Sequence, residues 1–531
     1  MRFSWFKGNK YKLSREGMWV LLLGLAIRLF ACQYTYIINS DGPLYIHQAR
    51  ALYFGQWERL IDCGIGYLSN YPLLIAGAYA LLHDWEVAAM AVSLLCSWLT
   101  LIPLYFIFKK FFDDRISILG TLIFALNPVL VGGSADVVKG PVCWFFMVIG
   151  LYFFIGQVDK RKRLYLLLSC LFFLMATWAR VEACLFIIVS FFYIVFFESE
   201  KKVEKAIIFL TPVAVVAMIC ISGLVLFGIS VNAFHRVNQI IGNLSGPIIQ
   251  YETLRNDLTQ LAGQYQDGVL KYFLPEARTN LWLVAFGTLL NRTLEAFFYP
   301  LFLIFAVGLG GTWVRIKKDR RILYISLLVT SGLILLYLHT VHTWTLYYRN
   351  MAIVIFPSFI FAGYGLERIV HYLRSRFRLR ESTALAALCL MILASSLPKD
   401  LQTRAIDKHV FKEIGYTIAA KAGHSQEIKV ATSLYTIKWL SFYANLDYLG
   451  APCPQPYGDF KAVVGDSYEE FVRSLRKNGI KYFLWEEKHW PSKLYDFISV
   501  NRIDDFVELG RWSHPDTGML ILFEVVEPCS E

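Results

Sequence analysis

Apolar runs recur along the chain up to about residue 398, and short polar loops cut them at regular intervals. A bilayer core of roughly 30 Å is crossed by about twenty apolar residues in a helix, so runs of this kind predict transmembrane spans. They fall near 18–36, 86–108, 116–133, 141–157, 164–179, 181–198, 206–228, 290–314, 322–339, 351–367 and 384–398, about eleven crossings. The runs at 164–179 and 384–398 are short. The stretch Tyr71–Leu82 is too brief to span and predicts an interfacial or re-entrant segment.

The pattern changes at Pro398, beyond which charged and apolar positions mix as in a soluble domain. Ile428–Ser433 and Ile480–Trp485 read as short strands. Between them, Ser467 with Glu470 forms a capping box that opens a helix ending near Asn478-Gly479. The expected architecture is an α-helical polytopic membrane region, residues 1–398, followed by a small α/β domain, residues 399–531. No internal repeat or low-complexity tract interrupts it.

Basic residues collect in alternate loops: the N-terminus, Lys109–Arg115, Lys160–Arg163, Lys201–Lys205, Arg315–Arg321 and Arg368–Arg380. By the positive-inside rule this puts the N-terminus in the cytoplasm and the C-terminal domain outside it. Arg2, Lys7, Lys10, Lys12 and Arg15 lead into the run from Met18 with no small-residue cleavage site soon after, which reads as a retained signal anchor. The long segments 37–85, 229–289 and 399–531 then all lie on the outer side, where any chemistry is expected.

Composition agrees with that picture, because a chain that is 56% hydrophobic and only 18% charged is too poor in charge for a soluble protein of 531 residues. The net charge of +11 resides in the orienting clusters and not in a contiguous basic face with interleaved aromatics, so no nucleic-acid partner is expected. Most of the ten cysteines sit in apolar runs as small hydrophobes and form no metal-ligand pattern. Cys63, Cys453 and Cys529 fall outside the cytoplasm, where a Cys453–Cys529 disulfide is one pairing the sequence allows.

Candidate chemistry lies at the outer ends of the spans. Asn39-Ser40-Asp41-Gly42-Pro43 follows the first span and precedes an amphipathic stretch, Leu44–Trp57, that carries Tyr45, His47, Gln48 and Arg50. Asp41 is placed to meet a lipid headgroup, although Asp before Gly-Pro is also a common helix start. Asp136 lies in a short outer loop one turn from Lys139, with which an ordinary surface ion pair is the plain alternative. Arg180 and Glu182 break apolar sequence running from Leu164 to Phe197, and Arg349 follows Tyr347-Tyr348, with His342 and Trp344 just before. Guanidinium groups suit phosphate, though an arginine at a span end also snorkels. No inner loop carries a phosphate-cradling glycine loop, so an activated donor is expected to come from the lipid. Gly308-Leu-Gly-Gly311 lies within an apolar run and reads as a packing feature.

Several of these motifs, in this order, resemble the GT-C superfamily of polyprenyl-phosphate-sugar glycosyltransferases, in particular members related to protein O-mannosyltransferases and aminoarabinose transferases. The resemblance rests on Asp41-Gly-Pro-Leu-Tyr45 with Ala49-Arg50-Ala51-Leu52 and Gly55, Tyr71-Pro72, Asn127-Pro128, Thr177-Trp-Ala-Arg180-Val-Glu182, Tyr347-Tyr348-Arg349 with Pro357, and Gly363-Tyr-Gly365-Leu-Glu-Arg368. It implies that Asp41 is the catalytic carboxylate, that Asp136 lies in the region of a second catalytic acid, and that Arg180 and Arg349 contact the donor phosphate. Glu182, Lys139, Tyr45 and His342 join them as expected substrate-binding residues. Many members carry Asp-Glu at the first site and an acidic residue before the proline of the fourth span, where this chain has Asp41-Gly42 and Gly140-Pro141. The Trp-Trp-Asp motif of oligosaccharyltransferase catalytic subunits is absent.

The implied reaction is inverting transfer of a sugar from a polyprenyl-phosphate donor to an acceptor on the outer face, a lipid, polysaccharide or protein. The setting is the bacterial inner membrane, and the partners are the lipid-linked donor and membrane lipids. No cofactor is required. A divalent metal is compatible, but no metal-ligand set is assigned. A transporter or lipid flippase is the alternative, which predicts inverted repeats and charged or broken helices at mid-bilayer. A membrane scaffold presenting the 399–531 domain would leave the outer acidic and basic groups unconnected.

Overall fold

A computed structural model describes residues 12–160, 162–198, 200–227, 235–265, 267–423, 426–433, 435–457, 460–491, 495–500 and 504–526. Arg2, Lys7, Lys10 and Cys529 lie outside the described residues.

The helices begin with α1 (Arg15–Gln33), α2 (Gly42–Tyr53), α3 (Asn70–Leu82), α4 (Trp85–Phe111), α5 (Asp114–Ala125), α6 (Pro128–Ser134), α7 (Gly140–Lys160), α8 (Arg163–Ala179), α9 (Cys184–Phe197) and α10 (Lys202–Phe227). They continue with α11 (His235–Gln264), α12 (Val269–Thr279), α13 (Leu281–Phe297), α14 (Tyr299–Leu309), α15 (Thr312–Lys318), α16 (Arg320–Thr343), α17 (Ala352–Ile355), α18 (Phe359–Phe377) and α19 (Glu381–Asp400). The chain is a multi-pass integral membrane protein. Among the described residues, six helices are long and apolar enough to cross a membrane, or up to nine if each of three bent pairs is one span. The expected spans at 164–179 and 181–198 coincide with shorter apolar helices, Arg163–Ala179 and Val181–Phe197. The segment expected to be re-entrant or interfacial is α3, with its end set by His83 in the left-handed conformation.

The bends have local causes. Pro128 lacks the N–H that would continue α5, and Asn127 Oδ1 instead accepts the backbone N–H groups of Val129 and Leu130 at 3.0 and 3.1 Å, so α5 and α6 meet at 57°. Phe298 at φ +64 with Pro300 turns α13 into α14 by 105°. α8 ends where Arg180 adopts an extended conformation, φ −146 and ψ 123, and a single 3-10 turn, Val181–Ala183, restarts the chain as α9.

The residues form two compact units. The first comprises Met1–Leu29, Leu94–Ser134 and Lys139–Leu401. Within it α14 and α18 pack backbone to backbone: a Cβ on Gly308 would run into the carbonyl oxygen of Phe361, and one on Gly365 into that of Ile304. Gly308 thus serves packing. Arg28, buried inside α1, is satisfied by Ser97 Oγ at 3.0 Å and the carbonyls of Gly24 and Ala125 at 3.0 and 2.9 Å.

The second unit joins Phe30–Ser93, Ala135–Val138 and Gln402–Glu531. It adds α20 (His409–Ala422), α21 (Ile437–Ala444), α22 (Lys461–Val464), α23 (Tyr468–Lys477) and α24 (Phe497–Val500), and strands β1 (Val430–Ala431), β2 (Tyr482–Glu486), β3 (Phe506–His514) and β4 (Gly518–Val525). The sheet order is β1-β2-β4-β3, with β1 and β2 parallel and the rest antiparallel. Phe471, Phe483, Phe497, Phe506 and Phe523 fill its core. Ser467 Oγ caps α23 through the backbone N–H of Glu470 at 3.2 Å.

The polar residues of α2 are turned inward. Gln48 Nε2 donates to the carbonyls of Leu60 and Tyr67, both at 2.8 Å, His47 contacts the carbonyl oxygen of Pro452 at 2.9 Å, and Arg50 donates to those of Gly450 and Asn445 at 2.6 and 3.0 Å. These contacts, with Arg59 Nη1 on the carbonyl of Ala451 at 2.7 Å, draw the loop after α2 against residues 450–453. The consequence is a disulfide between Cys63 and Cys453, with Cα atoms 5.8 Å apart. Cys453 is therefore paired with Cys63 and not with Cys529.

Candidate active site

Asp41 stands at the start of α2, with Pro43 in the helix's first turn. Its side chain makes no capping hydrogen bond. Helix capping, the plain local explanation for this residue, does not account for the carboxylate. Asp41 is part-exposed, and Oδ1 lies 3.8 Å from Lys438 Nζ. The loop before it is fixed by Asp136, whose Oδ1 accepts the backbone N–H of Asn39 at 2.7 Å and that of Val137 at 2.9 Å. Burial pushes the Asp136 carboxyl above the usual range, the N–H groups of Asn39 and Val137 oppose the rise, and the nearby Asp41 charge adds to it.

A Cβ on Gly42 would sit 3.0 Å from Val137 Cβ, so this tight approach leaves little room for a larger residue there. One turn further on, the Tyr45 ring meets Tyr71 edge-on at 5.5 Å. Tyr71 Oη donates to the carbonyl of Ala89 at 3.0 Å and lies 2.8 Å from Ser93 Oγ. Asp41 and Asp136, distant in sequence, thus meet in the second unit, with Tyr45 one turn further along α2.

A second constellation forms in the first unit at the break between α8 and α9. Arg180 Nη2 donates to Glu182 Oε1 at 2.8 Å and to Asn350 Oδ1 at 2.5 Å, and Nη1 reaches the carbonyl of Arg349 at 3.3 Å. The extended backbone at Arg180 lets residues two apart in sequence pair. Since Asn350 Oδ1 accepts from Arg180, its amide nitrogen donates to His339 Nε2 at 3.3 Å. The guanidinium of Arg349 lies 5.0 Å from the Tyr347 ring. Cys143, Trp144, Arg180, Glu182, Arg349 and Asn350 line one small cleft. Lys139, just ahead of α7, contributes to the electrostatic field at Glu182.

His342 lies one turn beyond His339, and its Nδ1 is buried without a hydrogen-bond partner among the described residues. His339 is the histidine that touches Asn350. Neither His339, Asn350 nor Lys438 was singled out from the sequence; His339 at three residues from His342 on one helix face was the accessible signal, and nothing local marked Lys438.

A set of residues able to hold a metal ion does occur: exposed Asp407 and Asp516 with buried His514, their ligand atoms all within 4.8 Å of one another. The backbone N–H of Asp516 donates to His514 Nδ1 at 3.2 Å, which leaves the proton of a neutral imidazole on Nε2, 3.8 Å from Asp407 Oδ2. That arrangement favours a proton donor facing a carboxylate over a ready metal ligand.

A family model described as "Dolichyl-phosphate-mannose-protein mannosyltransferase" matches residues 70–227. ArnT from Cupriavidus metallidurans bound to undecaprenyl phosphate superposes with a TM-score of 0.54 at 13% identity, over 98% of this chain and 100% of that one. The chain shares the fold of that structure. The archaeal oligosaccharyltransferase AglB from Archaeoglobus fulgidus, in complex with an inhibitory peptide and a dolichol-phosphate, gives 0.54 at 12% identity over 91% of this chain and 70% of that one. An Archaeoglobus fulgidus oligosaccharyltransferase in complex with Zn and sulfate gives 0.52 at 11% identity, over 88% of this chain and 68% of that one. No curated protein matches by sequence. The GT-C resemblance read from the motifs is borne out, and the family match with the shared fold supports a membrane glycosyltransferase.

Proposed function

We propose that this GT-C protein transfers a sugar from a polyprenyl-phosphate donor to an acceptor on the extracytoplasmic face, with inversion at the anomeric carbon. The observation that carries the reading is the Asp41 carboxylate, part-exposed at a helix start 3.8 Å from Lys438 Nζ, in a chain that shares the fold of ArnT. The neighbours' bound undecaprenyl phosphate and dolichol-phosphate support the donor class. Residues 1–398 form the transferase region and 399–531 the extracytoplasmic domain in this reading, with about eleven spans and the N-terminus in the cytoplasm.

Asp41 takes the proton of an acceptor hydroxyl or amine as its oxygen or nitrogen attacks the anomeric carbon. The bond from that carbon to the phosphate oxygen breaks, and polyprenyl phosphate leaves as the anion, without a general acid. Asp136 holds the Asn39–Asp41 loop. Arg349, with Lys139 in support, offers positive charge to the leaving phosphate, while Arg180, already paired with Glu182, fixes the backbone of Arg349. Tyr45 and His342 are the remaining substrate-binding residues of this reading. The acceptor is a lipid, polysaccharide or protein of the cell envelope.

Asp41→Asn tests this. The amide keeps the size of the carboxylate but cannot take the proton, so turnover is expected to fall by about 10²–10⁴-fold while undecaprenyl phosphate binds as before. Near-normal turnover would overturn the assignment.

A further inference from the structure

The C-terminal domain presents a lysine to Asp41 through a chain of contacts that begins in its sheet. Glu486, at the end of β2, is buried, and its Oε1 accepts hydrogen bonds from Thr432 Oγ1 at 2.5 Å, Ser433 Oγ at 2.7 Å and Thr436 Oγ1. Oε2 lies 2.9 Å from His489 Nδ1. A buried carboxylate is stable only when so satisfied, and here the three hydroxyls that satisfy it fix the turn leading into α21. On the other side of that turn, Trp439 Nε1 donates to the carbonyl of Ile38 at 2.8 Å. Lys438 lies between these two anchors, and its Nζ is 3.8 Å from Asp41 Oδ1 with both side chains only part-exposed.

We propose that Lys438 is the positioning residue of the Asp41 base, which makes the C-terminal domain part of the active site. The inference rests on the reading of Asp41 given above. At 3.8 Å the ammonium is beyond direct hydrogen-bond range, so its charge orients the carboxylate while Lys438 itself does not occupy the oxygen lone pair that must take the acceptor's proton. Lys438 acts through Asp41 and not on the donor phosphate.

The test uses purified full-length protein, a cell-envelope fraction as acceptor source and undecaprenyl-phosphate-linked monosaccharides as donors, with undecaprenyl phosphate itself as the binding probe. Lys438→Met, which keeps length and removes charge, is expected to lower kcat about tenfold. KM for the donor and affinity for undecaprenyl phosphate stay within about twofold of the wild type. Lys438→Arg recovers most of the loss, and it alone carries the test if the methionine variant does not fold. In an Asp41→Asn background, Lys438→Met removes nothing further.

Unchanged turnover in Lys438→Met, beside an inactive Asp41→Asn, sinks the role of Lys438 and leaves the base intact. Weakened undecaprenyl phosphate binding that persists in the Asp41→Asn background marks a phosphate ligand and also overturns it. An active Asp41→Asn, or a wild type that turns over none of the lipid-linked sugars, overturns the reading beneath it.

Discussion

Removing the charge of Asp136 while keeping its shape is expected to leave its loop intact, because an Asn side chain still offers Oδ1 to the N–H groups of Asn39 and Val137. Burial raises the native carboxyl above its unfolded value. Such a group contributes most stability at acidic pH, and the contribution is lost as pH rises through the native value. Asp136→Asn should therefore match the wild type in thermal midpoint at low pH and exceed it increasingly toward neutrality. Asp136→Ala strips the acceptor of both bonds and should cost roughly 1–3 kcal/mol together with most of the turnover, since Asn39–Asp41 loses its anchor. A midpoint for Asp136→Ala equal to that of Asp136→Asn would show that the two bonds are not what holds the loop. Asp41 was legible from its place between a span and a Gly-Pro helix start. The partners of Asp136 and Asp41 were not, because Lys438 lies 397 positions away in sequence from Asp41 and no local pattern encodes a contact of that range.

At the scale of elements, the spans were read from apolar runs, and the turns between them from particular residues. Asn127-Pro128 falls inside the span expected over 116–133, and there it bends the chain. The capping box at Ser467 placed α23, since its chemistry is local. The β3–β4 hairpin was missed despite its Pro515-Asp516-Thr517-Gly518 turn signal, because the strand β3 alternates weakly and carries a bulge between Glu508 and Gly510. Close helix packing yields a direct expectation. Gly365→Ala places a methyl against the carbonyl of Ile304 and should destabilise the detergent-purified protein by about 1–3 kcal/mol, seen as a lower midpoint of thermal unfolding. Gly77, where an added Cβ would meet nothing within 4 Å, is the matched control, and Gly77→Ala should leave the midpoint unchanged. Equal midpoints for both variants would remove the packing role of Gly365.

For the whole molecule, residues from both ends of the chain build the second unit, and the Cys63–Cys453 disulfide joins them across 390 positions. A disulfide of this kind accords with an oxidising compartment, and so with the outer placement proposed for these segments. The sequence allowed the wrong pairing because cysteine positions alone do not carry connectivity. The central claim of the proposed function is a lipid-linked donor. The decisive measurement offers purified full-length protein a radiolabelled monosaccharide on undecaprenyl phosphate or on a nucleotide, with a cell-envelope fraction as acceptor source. Transfer of label from the lipid-linked sugar alone, with release of undecaprenyl phosphate, is the predicted result. Transfer from the nucleotide sugar in the absence of any polyprenyl phosphate would contradict the account.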